Sequence, residues 1–227
     1  MAYTLTNLQT DIRNYTEVDD SVLTTAVINR IIENAENKIY RAVDSDADRF
    51  YATSNTVNGN RYVTIPSDLR IIRYVQVKDS TDCNKQKFLE QRDTSFMAEY
   101  YNTPGTASGV PKYYANWDGN FWVLAPTPNA SYTITMAYIK QPTSWTDSSV
   151  AATGTYLSNK YQDLLLYGSL VEAYGYLKGP IDMLQYYQGQ YDKSLETYAI
   201  EQQGRRRRGE YEDGVIRTPL KSLNPSQ

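Results

Sequence analysis

The 227-residue sequence contains no histidine, one cysteine and only four phenylalanines. Without histidine the chain lacks the usual general base near neutral pH, the commonest protein metal ligand and every nucleophile that depends on an imidazole. The sequence also has no glycine-rich phosphate loop and no recognisable nucleophile motif. We therefore expect a protein that is not an enzyme and that binds no cofactor and no metal ion.

Cys83, the single cysteine, lies in the turn-like segment DSTDCNKQ. One cysteine excludes an intramolecular disulfide, so we expect a surface thiol and a reducing compartment during assembly. No run approaches the roughly 18 consecutive apolar residues of a membrane span, and the N-terminus lacks a basic start followed by an apolar run. The sequence predicts a soluble, unsecreted protein with no membrane partner.

The segment DSDADRFYATSN, residues 44–55, begins with the alternating acids of a calcium loop. Arg49 stands where the turn requires glycine, and Asn55 stands where a bidentate glutamate is needed. We interpret the segment as a solvated acidic loop that follows a helix.

Tyrosine occurs 22 times, and its apolar ring with a polar tip suits half-wet surfaces between proteins. The middle of the chain carries a further aromatic group that a sugar or a base could stack on: Tyr113, Tyr114, Trp117, Phe121 and Trp122. Alternation along strands places about half of such a group in a core. The tyrosine excess favours an interface protein, and a carbohydrate-binding module is an alternative.

Hydrophobic periodicity predicts helices at both ends of the chain. They cover residues 5–14, a segment that begins near Asp20 or Ser21, residues 159–177, and a last helix from Pro180 to about Gln203. Between them the period is that of strands, with a hairpin around residues 58–60 and a three-stranded meander over residues 112–142. The predicted fold class is α+β: a helical bundle (1–49 and 146–203), an inserted antiparallel β-rich region (50–145) and an extended C-terminal tail (204–227).

The helix predicted over 159–177 has apolar residues on more than one stripe, which indicates cover on most sides. Gly168, Val171 and Gly175 share one stripe, and each glycine there costs up to roughly 1 kcal/mol relative to alanine. Close approach of another backbone would offset that cost. We predict that these three residues lie at a subunit interface.

Four consecutive arginines, Arg205, Arg206, Arg207 and Arg208, follow the last predicted helix. Residues 204–227 hold six Lys/Arg and three Asp/Glu, a net charge of +3, whereas residues 1–203 hold 17 and 23, a net charge of −6. A nucleic-acid-binding arm is one interpretation. Three acids follow at once, at 210, 212 and 213, which favours a tail that docks on a protein partner through the arginines and through apolar anchors at Ile216, Leu220 and Leu223.

Three segments resemble, in this order, the head-tail adaptor proteins of short-tailed bacteriophages. They are IPSDLRIIRYVQV (residues 65–77), the run from Pro111 to Tyr138 with its spaced glycine, prolines and tyrosines, and the run from Asn159 to Leu177. The resemblance covers roughly residues 20–200. It implies a structural virion protein at the neck between head and tail, assembled in the host cytoplasm.

The resemblance also implies partners. Such adaptors form a homo-oligomeric ring, commonly of twelve copies, that docks beneath the portal protein and surrounds a channel through which DNA passes without specific binding. The β-rich region would face the tail nozzle protein, and a C-terminal extension would enter the portal. We expect the turn Asn58, Gly59 and Asn60 to contact the nozzle and the arginine-rich tail to dock on the portal.

Overall fold

The computed structural model describes residues 3–79, 82–103 and 108–204. These residues form six α-helices and seven strands, which confirms the mixed α+β fold class. The chain divides into two compact units. Residues 1–47 with 142–204 are called the helical unit below, and residues 48–141 are called the β unit.

The secondary-structure elements fall cleanly into the two units. The helical unit holds α1 (Leu5–Thr16), α2 (Thr25–Ala42), α4 (Tyr156–Lys160), α5 (Gln162–Leu177) and α6 (Ile181–Gly204). The β unit holds β1 (Arg49–Asn55), β2 (Tyr62–Thr64), β3 (Leu69–Asp79), β4 (Lys85–Gln91), α3 (Thr94–Tyr100), β5 (Tyr113–Asn116), β6 (Phe121–Ala125) and β7 (Thr133–Lys140).

Threonine caps set the start of three helices. Each cap hydroxyl accepts a hydrogen bond from the backbone N–H three residues later, at Thr4, Thr24 and Thr155. The second helix therefore begins after Thr24, and the predicted start near Asp20 or Ser21 is wrong. Ser21 N–H donates instead to the Asp19 carboxylate at 3.0 Å, which holds these residues in a turn.

The helix predicted over 159–177 is interrupted at Tyr161. This residue lies between α4 and α5 with φ −133° and ψ 55°, outside the helical region. Its ring packs edge-on against Tyr198 of α6, with ring centroids 4.6 Å apart, and against Tyr156 at 5.7 Å. The helical spacing of apolar residues continues across Tyr161, so this spacing alone does not reveal the interruption.

Helix α5 contacts α1, α2, α4 and α6 within the helical unit. It is buried on several sides, which explains why its apolar residues occupy more than one stripe. The largest fully buried side chains around it are Leu8, Ile12, Leu23, Ile28, Ile32, Ile39, Trp145 and Tyr198. Residues from both ends of the sequence therefore share one core.

A sharp junction separates α5 from α6 at the predicted Gly179-Pro180 position. Lys178, rather than the glycine, takes the left-handed conformation, with φ 53°. Gly179 N–H donates to the Tyr174 carbonyl at 3.0 Å, and a methyl group at Gly179 would lie 2.6 Å from Cδ1 of that tyrosine. Glycine is needed here because of close side-chain contact, and not because of its own φ.

Glu36, on α2, is a buried carboxylate in the helical unit. It accepts hydrogen bonds from Ser144 Oγ at 2.5 Å and from the backbone N–H of Trp145 at 3.2 Å. Burial raises the pKa of this carboxyl to about 7, although these two hydrogen bonds act in the opposite direction. Glu36 thereby fixes the segment that returns the chain to the helical unit after β7.

The seven strands form one sheet in the order β1-β7-β3-β4-β5-β6-β2. All neighbours are antiparallel except β4 and β5, which run parallel over two residue pairs. One core cluster lies on the face that carries Val75, Val77, Ile134 and Met136. A second, smaller cluster packs Met97 of α3 with residues of β5 and β6.

Two predicted strand pairings in the β unit are wrong. Residues 58–59 do form a turn, with Gly59 at φ 77°, but β1 and β2 on either side of it pair with β7 and β6 instead of with each other. The predicted meander is confirmed only for its first hairpin, β5 with β6, because β7 inserts between β1 and β3. Turn chemistry is local, whereas the partner of a strand is decided by distant residues.

Candidate interaction surfaces

The described residues contain no group of three or more His, Cys, Asp or Glu side chains that could hold a metal ion. Among the helices of the same residues, none is both long enough and apolar enough to cross a bilayer. Cys83 is exposed with φ 50°, which confirms the expected surface thiol in a turn. The surfaces that carry the residues singled out in the sequence are described next.

The acidic segment after α2 is not the solvated loop that the sequence predicts. Asp46–Asp48 forms one 3-10 turn that leads directly into β1. Asp48 is buried, and burial raises the pKa of its carboxyl to about 6, partly opposed by Arg70 and Lys140. This carboxylate lies directly before β1 and is part of the β unit.

The aromatic group of β5 and β6 is mostly core. Tyr114 and Trp122 are buried, with ring centroids 5.2 Å apart, and Tyr113 packs against Phe96 of α3 at 5.3 Å. Only Trp117 and Phe121 are exposed. Trp117 meets Tyr62 edge-on rather than presenting an open stacked face, so the geometry does not favour a sugar-binding platform.

The three residues predicted at a subunit interface have different surroundings. Gly168 is buried, and a methyl group there would lie 3.2 Å from the Tyr191 ring and 3.5 Å from Cβ of Ala35. The close approach at Gly168 is thus made by the same chain. Gly175 is exposed with nothing within 4 Å of such a methyl group, and Val171 is half-buried. Free surface for a neighbour exists at these last two residues.

The end of the helical unit around the α5–α6 junction exposes large apolar side chains. They are Tyr176, Ile181, Met183 and Tyr186, of which Ile181 is 69% exposed. Tyr187 is buried next to these residues, and its ring centroid lies 5.3 Å from that of Tyr186 and 6.3 Å from that of Tyr15. A group of exposed apolar and tyrosine side chains of this kind is typical of a protein contact surface.

The turn predicted to meet the nozzle is exposed in the β unit. Gly59 N–H donates to the Pro128 carbonyl at 2.9 Å, and Asn60 N–H donates to the Val57 carbonyl at 3.0 Å. Asn58, Gly59 and Asn60 all face solvent. The backbone of the turn is therefore held by hydrogen bonds, while its exposed surface is accessible to a partner.

The predicted docking tail, with Arg205–Arg208, Ile216, Leu220 and Leu223, lies outside the described residues. The last described helix ends at Gly204. Gln202, two residues earlier, is buried and donates to Tyr156 Oη and to Tyr161 Oη, both at 3.4 Å. The end of α6 is thus held by side-chain contacts just before the arginines begin.

The SU10 adaptor protein family matches residues 3–218, nearly the whole chain. The chain belongs to this adaptor family. The match covers both units, so neither is an addition foreign to the family. Adaptor membership confirms the resemblance to phage head-tail adaptors and supports a structural role in the virion without catalysis. No curated protein matches the chain.

Three features of the structure have no signal in the sequence. Glu36 looks like any other polar residue of an amphipathic helix, and Gly168 looks like a candidate for contact with another subunit. The third is the position of β1 at an edge of the sheet, which follows from its pairing with β7, 90 residues away at Arg49↔Ile139. All three depend on long-range contacts.

Proposed function

We propose that this chain is the head-to-tail adaptor of a short-tailed bacteriophage. Its copies form a ring, of twelve subunits, at the neck of the virion between the portal protein and the tail nozzle protein, and DNA passes through the ring. Assembly takes place in the host cytoplasm. The observation that carries the proposal is the adaptor-family match over residues 3–218.

Roles are proposed for each part of the chain. The helical unit forms a bundle that contacts neighbouring subunits, the β unit meets the nozzle, and the tail 204–227 docks on the portal. The exposed apolar surface at the α5–α6 junction supports the first role. The exposed, braced turn at residues 58–60 supports the second. The charge reversal at Gly204 supports the third.

The distribution of charge supports passage of DNA without binding. Residues 1–47 and 142–204 hold 7 Lys/Arg and 15 Asp/Glu, a net charge of −8, whereas residues 48–141 hold 10 and 8, a net charge of +2. Fixed cations on a channel wall would hold phosphates and slow the DNA, and an excess of acids avoids this. The helical unit therefore has the charge that a DNA channel needs.

The test of the ring is electron microscopy of the purified chain, alone and mixed with the cognate portal. Closed rings in either sample, coaxial with the portal in the second, are the expected result. A chain that stays monomeric with the portal, or that attaches as isolated copies around it, contradicts the proposal.

A first variant tests the subunit interface. Gly175→Leu should leave the free energy of unfolding within about 1 kcal/mol of the parent, because residue 175 is exposed and leucine favours helix over glycine. It should block ring assembly on the portal. Gly168→Leu is the matched control and should lower stability by about 1–3 kcal/mol through its clash with Tyr191. Normal rings from Gly175→Leu would remove residue 175 from the interface.

A second variant tests the nozzle contact. Deletion of Asn58 and Gly59 shortens the exposed turn, and we expect portal binding to persist while nozzle attachment is impaired. Particles built with the shortened chain can be counted for attached tails, with circular dichroism of the free chain as the folding control. Tails attached at the normal frequency would show that the nozzle does not use this turn.

A further inference from the structure

The sheet of the β unit ends in β1 on one side and in β2 on the other. An edge strand presents backbone N–H and C=O groups to which another chain can add, and proteins usually protect such edges. The two edges of this sheet differ strongly in protection. That difference indicates that one edge is built to receive a strand.

Strand β2 is a protected edge. It has only three residues, Tyr62–Thr64, and Pro66 follows shortly after. The Tyr62 N–H, which points away from β6, donates to Oδ1 of Asn60 at 3.0 Å. Short length, a nearby proline and a side-chain cap are the features that prevent a further strand from pairing.

Strand β1 is an open edge of seven residues without glycine or proline. Thr56 N–H donates to the carbonyl of Tyr132, its opposite residue in the pairing with β7, at 2.9 Å. Because hydrogen-bonded and non-hydrogen-bonded pairs alternate in an antiparallel ladder, the backbone groups of Tyr51, Thr53 and Asn55 point away from β7. No backbone hydrogen bond between described residues reaches these outward groups.

Side chains on both faces of β1 are also incompletely covered. Phe50 is 45% exposed on the face that carries Tyr138, and Tyr51 is 52% exposed on the opposite face. A strand added to this edge would cover both rings at once, since neighbouring strands contribute side chains to each face. The exposed backbone and the two exposed rings point to the same missing neighbour.

The charge at the start of β1 defines the chemistry of that neighbour. Lys140 Nζ lies 5.4 Å from the centre of the Phe50 ring, so an added strand that covers Phe50 also reaches this ammonium group. The β unit as a whole carries a net charge of +2. An occupant with acidic side chains at this end is therefore favoured.

We propose that β1 receives an extended segment of the next tail component as an eighth, antiparallel strand. Apolar or β-branched side chains of that segment cover Phe50 and Tyr51, and an acidic side chain near its carboxyl end meets Lys140. The inference rests on the proposed function, in which the β unit meets the tail. It adds the strand that makes the contact and the chemistry of its partner.

The substitution Thr53→Pro tests the edge directly. The Thr53 N–H points away from β7, so Thr53→Pro removes no hydrogen bond of the ladder while it blocks strand addition. We expect a folded subunit that joins the portal and attaches the tail component at least about tenfold more weakly. Thr64→Pro on β2 is the matched control, because Thr64 N–H also points outward, and it should attach tails normally. Equal attachment by both variants overturns the proposal.

Hydrogen exchange of individual amides identifies the occupant. In head particles carrying the adaptor, the amides of Tyr51, Thr53 and Asn55 should exchange at least about tenfold more slowly once the tail component has joined. Protection before the tail joins would identify a second copy as occupant, and protection in the free chain that disappears on truncation after Gln203 would identify the C-terminal segment. Either result overturns the proposal.

The same measurement separates this inference from the function on which it rests. If the tail component attaches through the β unit while β1 exchange is unchanged, the added strand is wrong and the adaptor function stands. If no amide of the β unit slows when the tail joins, the assignment of the β unit to the tail is wrong as well.

Discussion

A chain truncated after Gln203 is expected to fold normally and to fail to join DNA-filled heads. Every buried residue that the structure describes lies at or before Gln202, so the truncated chain keeps all of them. It does remove the arginine run, whose guanidinium groups are proposed to pair with carboxylates of the portal while Glu210, Glu212 and Asp213 meet its basic groups. Thermal unfolding and head-joining assays on the truncated and full chains measure the two effects.

A lysine variant makes the test sharper. Replacing Arg205–Arg208 by four lysines keeps the charge and removes the bidentate geometry of guanidinium, so docking on a protein partner should weaken while simple phosphate neutralisation should not. The peptide 204–227 should bind the portal in titration. If it instead binds duplex DNA with a steep salt dependence and ignores the portal, the tail is a nucleic-acid arm.

The second large effect concerns Glu36, whose folded-state pKa is raised by burial to about 7 from an ordinary value of 4.5. A carboxyl with a raised pKa binds its proton more tightly in the folded state, so its contribution to stability is complete below pH 4.5 and is lost as the pH rises through 7. We expect this one group to lower the free energy of unfolding by up to about 3 kcal/mol over that range. Asp48, with a pKa of about 6, acts in the same direction.

Two substitutions isolate the contribution of Glu36. Glu36→Gln keeps an acceptor for the Trp145 N–H, and we expect it to remove most of the pH dependence and to raise stability above pH 7. Glu36→Ala leaves that buried N–H unpaired, at a cost of about 1–3 kcal/mol. Because the chain has no histidine, few other groups titrate between pH 5 and 8. Chemical denaturation of the parent and of each variant across this pH range measures the effect. If the free energy of unfolding depends on pH in the same way for the parent and for Glu36→Gln, Glu36 does not titrate as described.

The helices were predictable because their signal is local. The amphipathic periodicity and the Gly179-Pro180 junction each lie within a few residues of the helix they define, although the N-cap of α2 is Thr24 and not the predicted Asp20 or Ser21. The interruption at Tyr161 was not predictable from the local sequence, and the ring of this residue packs against the Tyr198 ring, 37 residues away. Hydrophobic periodicity identifies a helical segment but does not show whether the helix is continuous.

The sheet was predictable only in its content. The segments of β5, β6 and β7 are short apolar runs separated by turn residues, as strands often are, but nothing within residues 112–142 indicates that β7 leaves the meander to pair with β1 and β3. The candidate surfaces follow the same rule. The turn at residues 58–60 is readable because Asn and Gly define it, while the open edge of β1 exists only once β7 has been placed.

The pairing of β1 with β7 has a consequence for how such a protein can change. Arg49 and Ile139 are opposite residues in the ladder, so the polypeptide enters and leaves the β unit at neighbouring points, about 5 Å apart at Cα. Any domain whose own termini are adjacent can be exchanged at this position with the flanking segments kept in place. Recombination within residues 48–141 can therefore replace the β unit while the flanking helical segments are kept, and under the proposed function such an exchange would change the tail that the adaptor accepts.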